Sequence, residues 1–269
     1  MIRLDDKNLK EFTRQSSKGN QLKWEKEGMW YKADYTGYEG LSEYLVSALL
    51  KNSSLQPQEY VLYHTEEIMY KKRIWKGCSS ESFLDDGWQI ITLERLFGQQ
   101  YGYSLYQSVF KIADVEERLR FLVDQVVRAT GLSDFGTYMN KLLTLDAIFL
   151  NEDRHMHNIA VLTNSAGQFD YCPIFDNGGA LLSDTSIDYP LDIDVVSLLT
   201  SVESKTISWN FDEQLDASEA LYGLNLKFDF NMNDVRNLLR EDHYYSREIH
   251  DRIEIVLENQ LRKYSYLFA

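Results

Sequence analysis

Cysteine is nearly absent from this chain. Two residues, Cys78 and Cys172, among 269 are too few for a disulfide framework, and their separation matches no metal-ligand spacing. Both are expected to be reduced thiols, with Cys172 packed in its strand. Proline occurs three times, so no proline-rich linker divides the chain. No Gly-x-Gly-x-x-Gly is present, which removes the usual glycine-rich nucleotide fingerprint. No stretch comes near the ~18 uninterrupted apolar residues of a membrane helix, and Met1 to Asp6 has no apolar signal core, so a soluble, cytoplasmic protein is expected. Basic residues are the minority, 28 Lys and Arg against 42 Asp and Glu, for a formal net charge of -14 at pH 7. A nucleic-acid surface needs clustered Lys and Arg, so neither a nucleic-acid nor a membrane partner is expected.

What is present suits a folded core: 44% hydrophobic and 13% aromatic residues, in a chain long enough for one large domain or two lobes. The stretch from Leu145 to Gly179 organises it. Leu145, Ala147, Ile148, Phe149 and Leu150 read as the tail of a buried helix that runs into polar Asn151-Glu152-Asp153-Arg154-His155. Ile159 to Leu162 then form an apolar strand, Gly167 a turn, and a second short strand ends in Ile174-Phe175-Asp176-Asn177-Gly178. Phosphoryl transfer wants one carboxylate near the attacking hydroxyl and oxygen ligands for magnesium. Asp153, Asn158 and Asp176 supply that set, since a loop can aim Asp153 at substrate while Asn158 turns back toward metal. Gly178 and Gly179 are expected to leave the next segment free to swing. His155 and His157 have no Cys or third His nearby, so a zinc site is not favoured.

Asp153-Arg154-His155-x-x-Asn158 followed by Ile174-Phe175-Asp176-x-Gly178 resembles the catalytic and metal loops of HipA-type serine/threonine kinases and of the phosphatidylinositol 3- and 4-kinases. In HipA relatives the loop reads Asn-x-Asp-x-His-x-x-Asn, and Asn151, Asp153, His155 and Asn158 occupy all four places. Arg154 brings the loop closer to the lipid-kinase version. The resemblance implies Asp153 and His155 in catalysis, Asn158 and Asp176 as Mg2+ ligands, and ATP as the nucleotide.

Earlier in the chain, Gly19-Asn20-Gln21-Leu22-Lys23 resembles the HipA phosphate loop, Gly-x-Gln-x-Lys. This makes Gly19, Asn20 and Gln21 nucleotide-binding candidates and Ser16 or Ser17 the candidate autophosphorylated serine; an ordinary hairpin turn is the plain alternative. Trp24 to Asp34 reads as two strands joined at Glu27-Gly28, with Lys32 on the second as the candidate ATP-phosphate lysine. A helix from Tyr38 to Leu50 follows, with Leu41, Leu45, Ala48 and Leu49 in one stripe. Glu43 is preferred over Glu39 as the partner of Lys32, because HipA relatives carry a Glu well inside this helix. Glu39 lies in its first turn, where it favours the helix dipole.

Glu59 to Tyr70 suits further strands, and Lys71-Lys72-Arg73 a solvated turn. Trp88 to Phe97 is expected to be a strand running into a polar break. It resembles the hinge strand of a HipA-type kinase, which makes Glu94 and Leu96 nucleotide-binding candidates and sets a lobe boundary near Glu94. Val115 to Val127 carries a helical stripe ended by Gly131, and Phe135 to Leu150 a second helix that delivers the catalytic loop. Asp146 inside that helix needs a partner, either Arg or a backbone amide. Leu181 to Pro190 is expected to be an exposed loop in the place of an activation segment, with Ser183, Thr185 and Ser186 open to phosphorylation. Phe228 to Leu239 and His250 to Leu267 read as helices.

The expected fold is α+β, a bilobal protein-kinase-like fold with a small strand-rich N-lobe over residues 1–93 and a larger helical C-lobe over 94–269. The expected function is an ATP- and Mg2+-dependent phosphotransferase, a HipA-like serine/threonine protein kinase that moves the γ-phosphate to a protein hydroxyl and can autophosphorylate. HipA-type toxins phosphorylate components of translation, so a toxin role with such a substrate is one option the resemblance implies. Three alternatives stay open: a lipid or small-molecule kinase, a nucleotide-binding pseudokinase, and AMP transfer by the same fold.

Overall fold

The structure is a computed structural model that describes residues 1–10 and 21–268. In chain order its elements are β1 (Ile2–Arg3), β2 (Lys23–Lys26), β3 (Met29–Ala33), α1 (Glu39–Leu50), β4 (Tyr63–Tyr70), β5 (Arg73–Glu81), β6 (Trp88–Thr92), α2 (Leu93–Tyr101), α3 (Leu105–Val109), α4 (Val115–Thr130), α5 (Phe135–Phe149), β7 (Ala160–Asn164), β8 (Phe169–Tyr171), α6 (Val195–Leu199), α7 (Phe211–Tyr222), α8 (Met232–Glu241) and α9 (Arg247–Lys263). They form two compact units that interleave along the chain. One comprises Met1–Phe83, Phe175–Val202 and Phe228–Ala269, the other Leu84–Ile174 and Glu203–Lys227. The sequence reading divides the chain once, near Glu94, whereas the chain first passes between these units at Phe83–Leu84.

The first unit is built on a five-stranded sheet in the order β1-β4-β5-β3-β2, as far as the described residues go. Glu27 and Gly28, both at positive φ, turn β2 into β3, and Lys71 and Lys72, likewise positive, turn β4 into β5. Positive φ at both turn residues matches the right-handed twist of paired strands. Strand β3 lies between β2 and β5, with Lys23 opposite Lys32 on one side and Cys78 opposite on the other. Lys32 therefore sits inside the sheet, not on an edge strand. Helix α1 packs on β4 and β5. It approaches closely because a Cβ on Gly40 would stand 2.4 Å from the carbonyl carbon of Gly77, so the contact is glycine on glycine.

Helix α8 begins at Met232 rather than Phe228. Asn231 and Asp234 form a capping box there, which satisfies two orphan backbone donors at once and fixes the start. Phe228 instead bridges Ser53 and Phe268 in extended backbone.

In the second unit β6, β7 and β8 make an antiparallel sheet. Asp114 caps α4 by accepting from the Glu117 N–H, and Gly131 ends it in the left-handed conformation. Helix α5 packs on α4 and on α7, an element that the sequence reading leaves without assignment. Its local signal is Asn210, which caps the first turn by accepting from the Asp212 and Glu213 amides.

The expected polar break after β6 is a helix. Thr92 accepts from the Arg95 N–H and starts α2, while Leu93, Leu96 and Phe97 bury one helical face. Among the described residues no helix is long and apolar enough to cross a membrane.

Candidate active site

Lys32 gathers two carboxylates from distant parts of the first unit. Its Nζ lies 2.7 Å from Glu43 Oε1 on α1 and 2.9 Å from Asp176 Oδ1. The Tyr63 ring, itself buried, stands 5.1 Å from the ammonium, a cation–π distance. Burial alone would lower the pKa of Lys32, but Asp176 and Glu43 outweigh it and hold the ammonium well above the ordinary lysine range. Across the strand pair Lys23 moves the other way. Burial lowers it, Lys32 adds to the shift, and Asp176 and Glu43 only partly oppose it.

Asp176 occupies the left-handed region at φ 61, which Asp tolerates better than most side chains. The next residue donates its backbone N–H to Glu43 Oε2 at 2.8 Å. Glu43 thus spends one oxygen on Lys32 and the other on the chain beside Asp176. Glu39 is used locally, accepting from the Thr36 and Gly37 amides in the lead-in to α1.

Two expectations for the following segment are corrected. Gly178 and Gly179 do not release it, and only its later part is exposed as expected: Ala180, Leu181, Leu182, Ser183 and Asp184 are all buried, whereas Ser186, Ile187 and Asp188 face solvent. The apolar run Ala180-Leu181-Leu182 enters the core, and the Tyr38 N–H donates to Ser183 O while the Ser186 N–H donates to Thr36 O. Ser183 directs its hydroxyl to Gly178 O.

The second unit carries the Asp153 loop. Helix α5 stops at Leu150, which adopts φ 52, and the Asn151 N–H closes the turn on Asp146 O. Asp146 is fully buried, and Arg154 Nε lies 3.2 Å from each of its carboxylate oxygens. Burial pushes the Asp146 carboxyl up to about 6, against the pull of Arg154. The guanidinium also donates to Asn158 O, and the Arg154 carbonyl accepts from the Thr206 hydroxyl at 2.7 Å. Arg154 is therefore an internal strut of the loop, with side-chain exposure of 1%.

Asn158 Nδ2 donates to Asp153 O at 2.8 Å and reaches Asp153 Oδ2 at 3.3 Å. Two acceptors fix which end of the amide is nitrogen, and the other end, Asn158 Oδ1, is an oxygen that could hold a cation. His155 Nδ1 accepts from the His157 N–H, and Nε2 lies 3.6 Å from Asp153 Oδ1. In the neutral ring the proton accordingly sits on the nitrogen that faces Asp153. Among the described residues no group of three or more His, Cys, Asp or Glu is arranged around a metal. Magnesium fits the donors present, because it binds hard oxygens and takes one or two protein ligands together with substrate phosphates and water.

Glu94 lies in the first turn of α2, where its N–H donates to Met156 O and its carboxylate accepts from the Tyr106 N–H. Leu96 is buried. Gln21 is half-buried just before β2, and Gly19, Asn20, Ser16 and Ser17 lie outside the described residues. Sequence reasoning missed Tyr63, Ser42 and Thr206. Thr206 meets Arg154 across 52 residues of chain, a pairing for which no local pattern exists.

No family model matches the chain, and no curated protein matches it. Solved structures do. The crystal structure of the Helicobacter pylori proinflammatory kinase CtkA superimposes with a TM-score of 0.60 at 16% sequence identity, covering 90% of this chain and 90% of that one. The Shewanella oneidensis HipA, solved with HipB and operator DNA, gives a TM-score of 0.46 at 12% identity, covering 89% of this chain and 59% of that one. The chain has a mixed α+β fold, and it is a kinase fold, shared with CtkA over nine-tenths of either chain.

Proposed function

We propose that the chain is an ATP- and Mg2+-dependent serine/threonine protein kinase of the HipA-like kind, which transfers the γ-phosphate to a protein hydroxyl. The observation that carries this reading is the half-buried Lys32 ammonium bracketed by Glu43 and Asp176, from positions 11 and 144 residues away in the chain. In a kinase fold a lysine held charged beside a helix glutamate is the group that binds the nucleotide phosphates, and a carboxylate at its side can share a metal ion with them. Bound ATP would supply the phosphoryl group and Mg2+ the neutralisation of its charge.

In this reading Lys32 holds the phosphates and Glu43 orients Lys32. Asp176 and Asn158 Oδ1 bind the cation. Asp153 aligns the attacking hydroxyl, and His155 presents a proton toward Asp153. Gly19, Asn20 and Gln21 cover the nucleotide, with Ser16 or Ser17 as the autophosphorylated serine. Glu94 and Leu96 meet the adenine through backbone groups of the hinge. The acceptor is a protein, and a component of translation is the class that a toxin role would select.

The test is incubation of the purified protein with Mg2+ and γ-labelled ATP, beside Asp153→Ala and an α-labelled control. Label from the γ position that is lost in Asp153→Ala and in Asp176→Ala is expected, with phosphate on Ser16 or Ser17 by mass spectrometry. Full turnover by Asp176→Ala would refute the metal assignment, and label from the α position would replace phosphoryl transfer with AMP transfer.

A further inference from the structure

The segment after Asp176 is fastened to α1 by polar groups that the proposed chemistry does not use. Ser42 is fully buried one residue before Glu43, and its Oγ lies 2.8 Å from Asn177 O and 3.0 Å from Ala180 O. One turn earlier the Tyr38 hydroxyl donates to Leu181 O at 2.6 Å, and the Tyr38 N–H donates to Ser183 O at 3.1 Å. Glu43 Oε2 takes the Asn177 N–H. From Asn177 to Ser183 the backbone belongs to no helix or strand, and much of its hydrogen bonding is met by α1 and its lead-in.

This segment is one that would not keep its shape unaided. Asp176, Leu181 and Leu182 all hold positive φ, at 61, 58 and 58, a region in which leucine is strained and persists only when its surroundings impose it. Ser42 is placed to impose it. Its hydroxyl has one hydrogen, so it donates to one of the two carbonyls at a time and spans the turn that the Ala180 N–H closes on Asn177 O. Alanine at position 42 would suit the helix but leave both carbonyls without that donor.

We infer that Ser42, supported by Tyr38, is a positioning residue for Asp176. Helix α1 then registers both halves of the phosphate-and-metal site, Lys32 through Glu43 and Asp176 through Ser42 and the Asn177 amide. The catalytic consequence rests on the kinase reading above. A regulatory consequence follows: Asp176 is set by packing, without phosphorylation of Ser183, Thr185 or Ser186, and Ser183 is both 1% exposed and hydrogen-bonded to Gly178 O.

The experiment compares the full chain with Ser42→Ala and with Tyr38→Phe, which removes one hydroxyl and keeps the ring if Ser42→Ala fails to fold. Amide hydrogen exchange is followed at Ala180 and Ser183, and ATP affinity is titrated in Mg2+ and in EDTA. Each variant should exchange about tenfold faster at those amides, with α4 and α5 unchanged. The tightening of ATP binding by Mg2+ should shrink about fivefold, the affinity in EDTA should hold, and kcat at saturating Mg2+ and ATP should fall. Unchanged exchange overturns the clamp. Faster exchange with unchanged Mg2+ dependence and kcat overturns the positioning role. A wild-type protein that binds no ATP refutes the kinase reading and the catalytic consequence with it, while the exchange rates still decide whether Ser42 holds the segment.

Discussion

Lys32 is a cation that the interior can keep only because Glu43 and Asp176 stand at 2.7 and 2.9 Å from it. Removing one member of a buried ion cluster leaves the others uncompensated, at a cost of about 3 kcal/mol. Lys32→Met is therefore expected to lower stability by that order in a urea titration and to reduce phosphoryl transfer by roughly 10² or more. Lys32→Arg should rescue the charge but not the rate, since a planar fork does not replace a point charge between two fixed carboxylates. The folded-state pKa of Lys32 is raised, so its contribution to stability is complete below the unfolded lysine value and is lost only as pH rises through the higher folded one. No loss of stability between pH 6 and pH 9 should trace to Lys32.

At this scale the sequence was informative where spacing is short. Asp153 and Asn158 share one loop, and Lys32 stands out in an aromatic strand. The support under them, Arg154 on Asp146 or Thr206 on Arg154, is set by tertiary contact, which spacing alone does not encode.

At the scale of elements, α1 and β5 meet through Gly40 and Gly77. A Cβ on Gly40 would lie 2.4 to 2.6 Å from Gly77 backbone atoms, and one on Gly77 would lie 2.0 Å from Lys32 O. Neither contact can be relieved by a side-chain rotation, because backbone stands on both sides. Gly40→Ala should push α1 off the sheet, costing roughly 2–3 kcal/mol of overpacking and carrying Glu43 away from Lys32. The measurement is thermal unfolding together with the apparent KM for ATP, and a variant with wild-type values of both would show that the helix can slide without consequence.

The elements that local pattern could reveal were those with a stripe and a cap, such as α4 between Asp114 and Gly131. Helix α2 was hidden because Ile90, Ile91, Leu93 and Leu96 continue one apolar run through a change of period, so only the Thr92 cap marks the boundary. The buried path of Ala180 to Asp184 was hidden because flanking Ser, Asp and Thr suggest solvent, while α1 supplies its hydrogen bonds from far away in the chain.

For the whole molecule, charge and burial push stability the same way with pH. Asp34 is raised to about 7, by burial first and then by the neighbouring charge of Glu39, against hydrogen bonds from Tyr245 and the Gly40 amide. Asp146 is raised to about 6 by burial. A carboxyl with a raised folded pKa binds a proton more readily in the native state, so its contribution is complete below the unfolded value near 4 and is lost as pH rises through the folded value. The net charge of -14 at pH 7 adds self-repulsion that grows over the same range. Stability is therefore expected to fall from pH 5 to pH 8. Salt separates the two causes, since it screens exposed charges far more than buried ones. Asp34→Asn keeps an acceptor for the Gly40 N–H and a polar partner for Tyr245, so it should flatten the slope while preserving the local bonds. At pH 8 this variant should be more stable than wild type by something on the order of 2 kcal/mol, discounted for the partial exposure of the group, and the gain should vanish near pH 4. Urea titrations at pH 4, 5, 6, 7 and 8, each in low and high salt, measure this. An Asp34→Asn slope equal to that of wild type in high salt would show that Asp34 is ionised in the native protein at neutral pH, and a wild-type stability that climbs from pH 5 to pH 7 would show that neither carboxyl burial nor surface repulsion sets the profile.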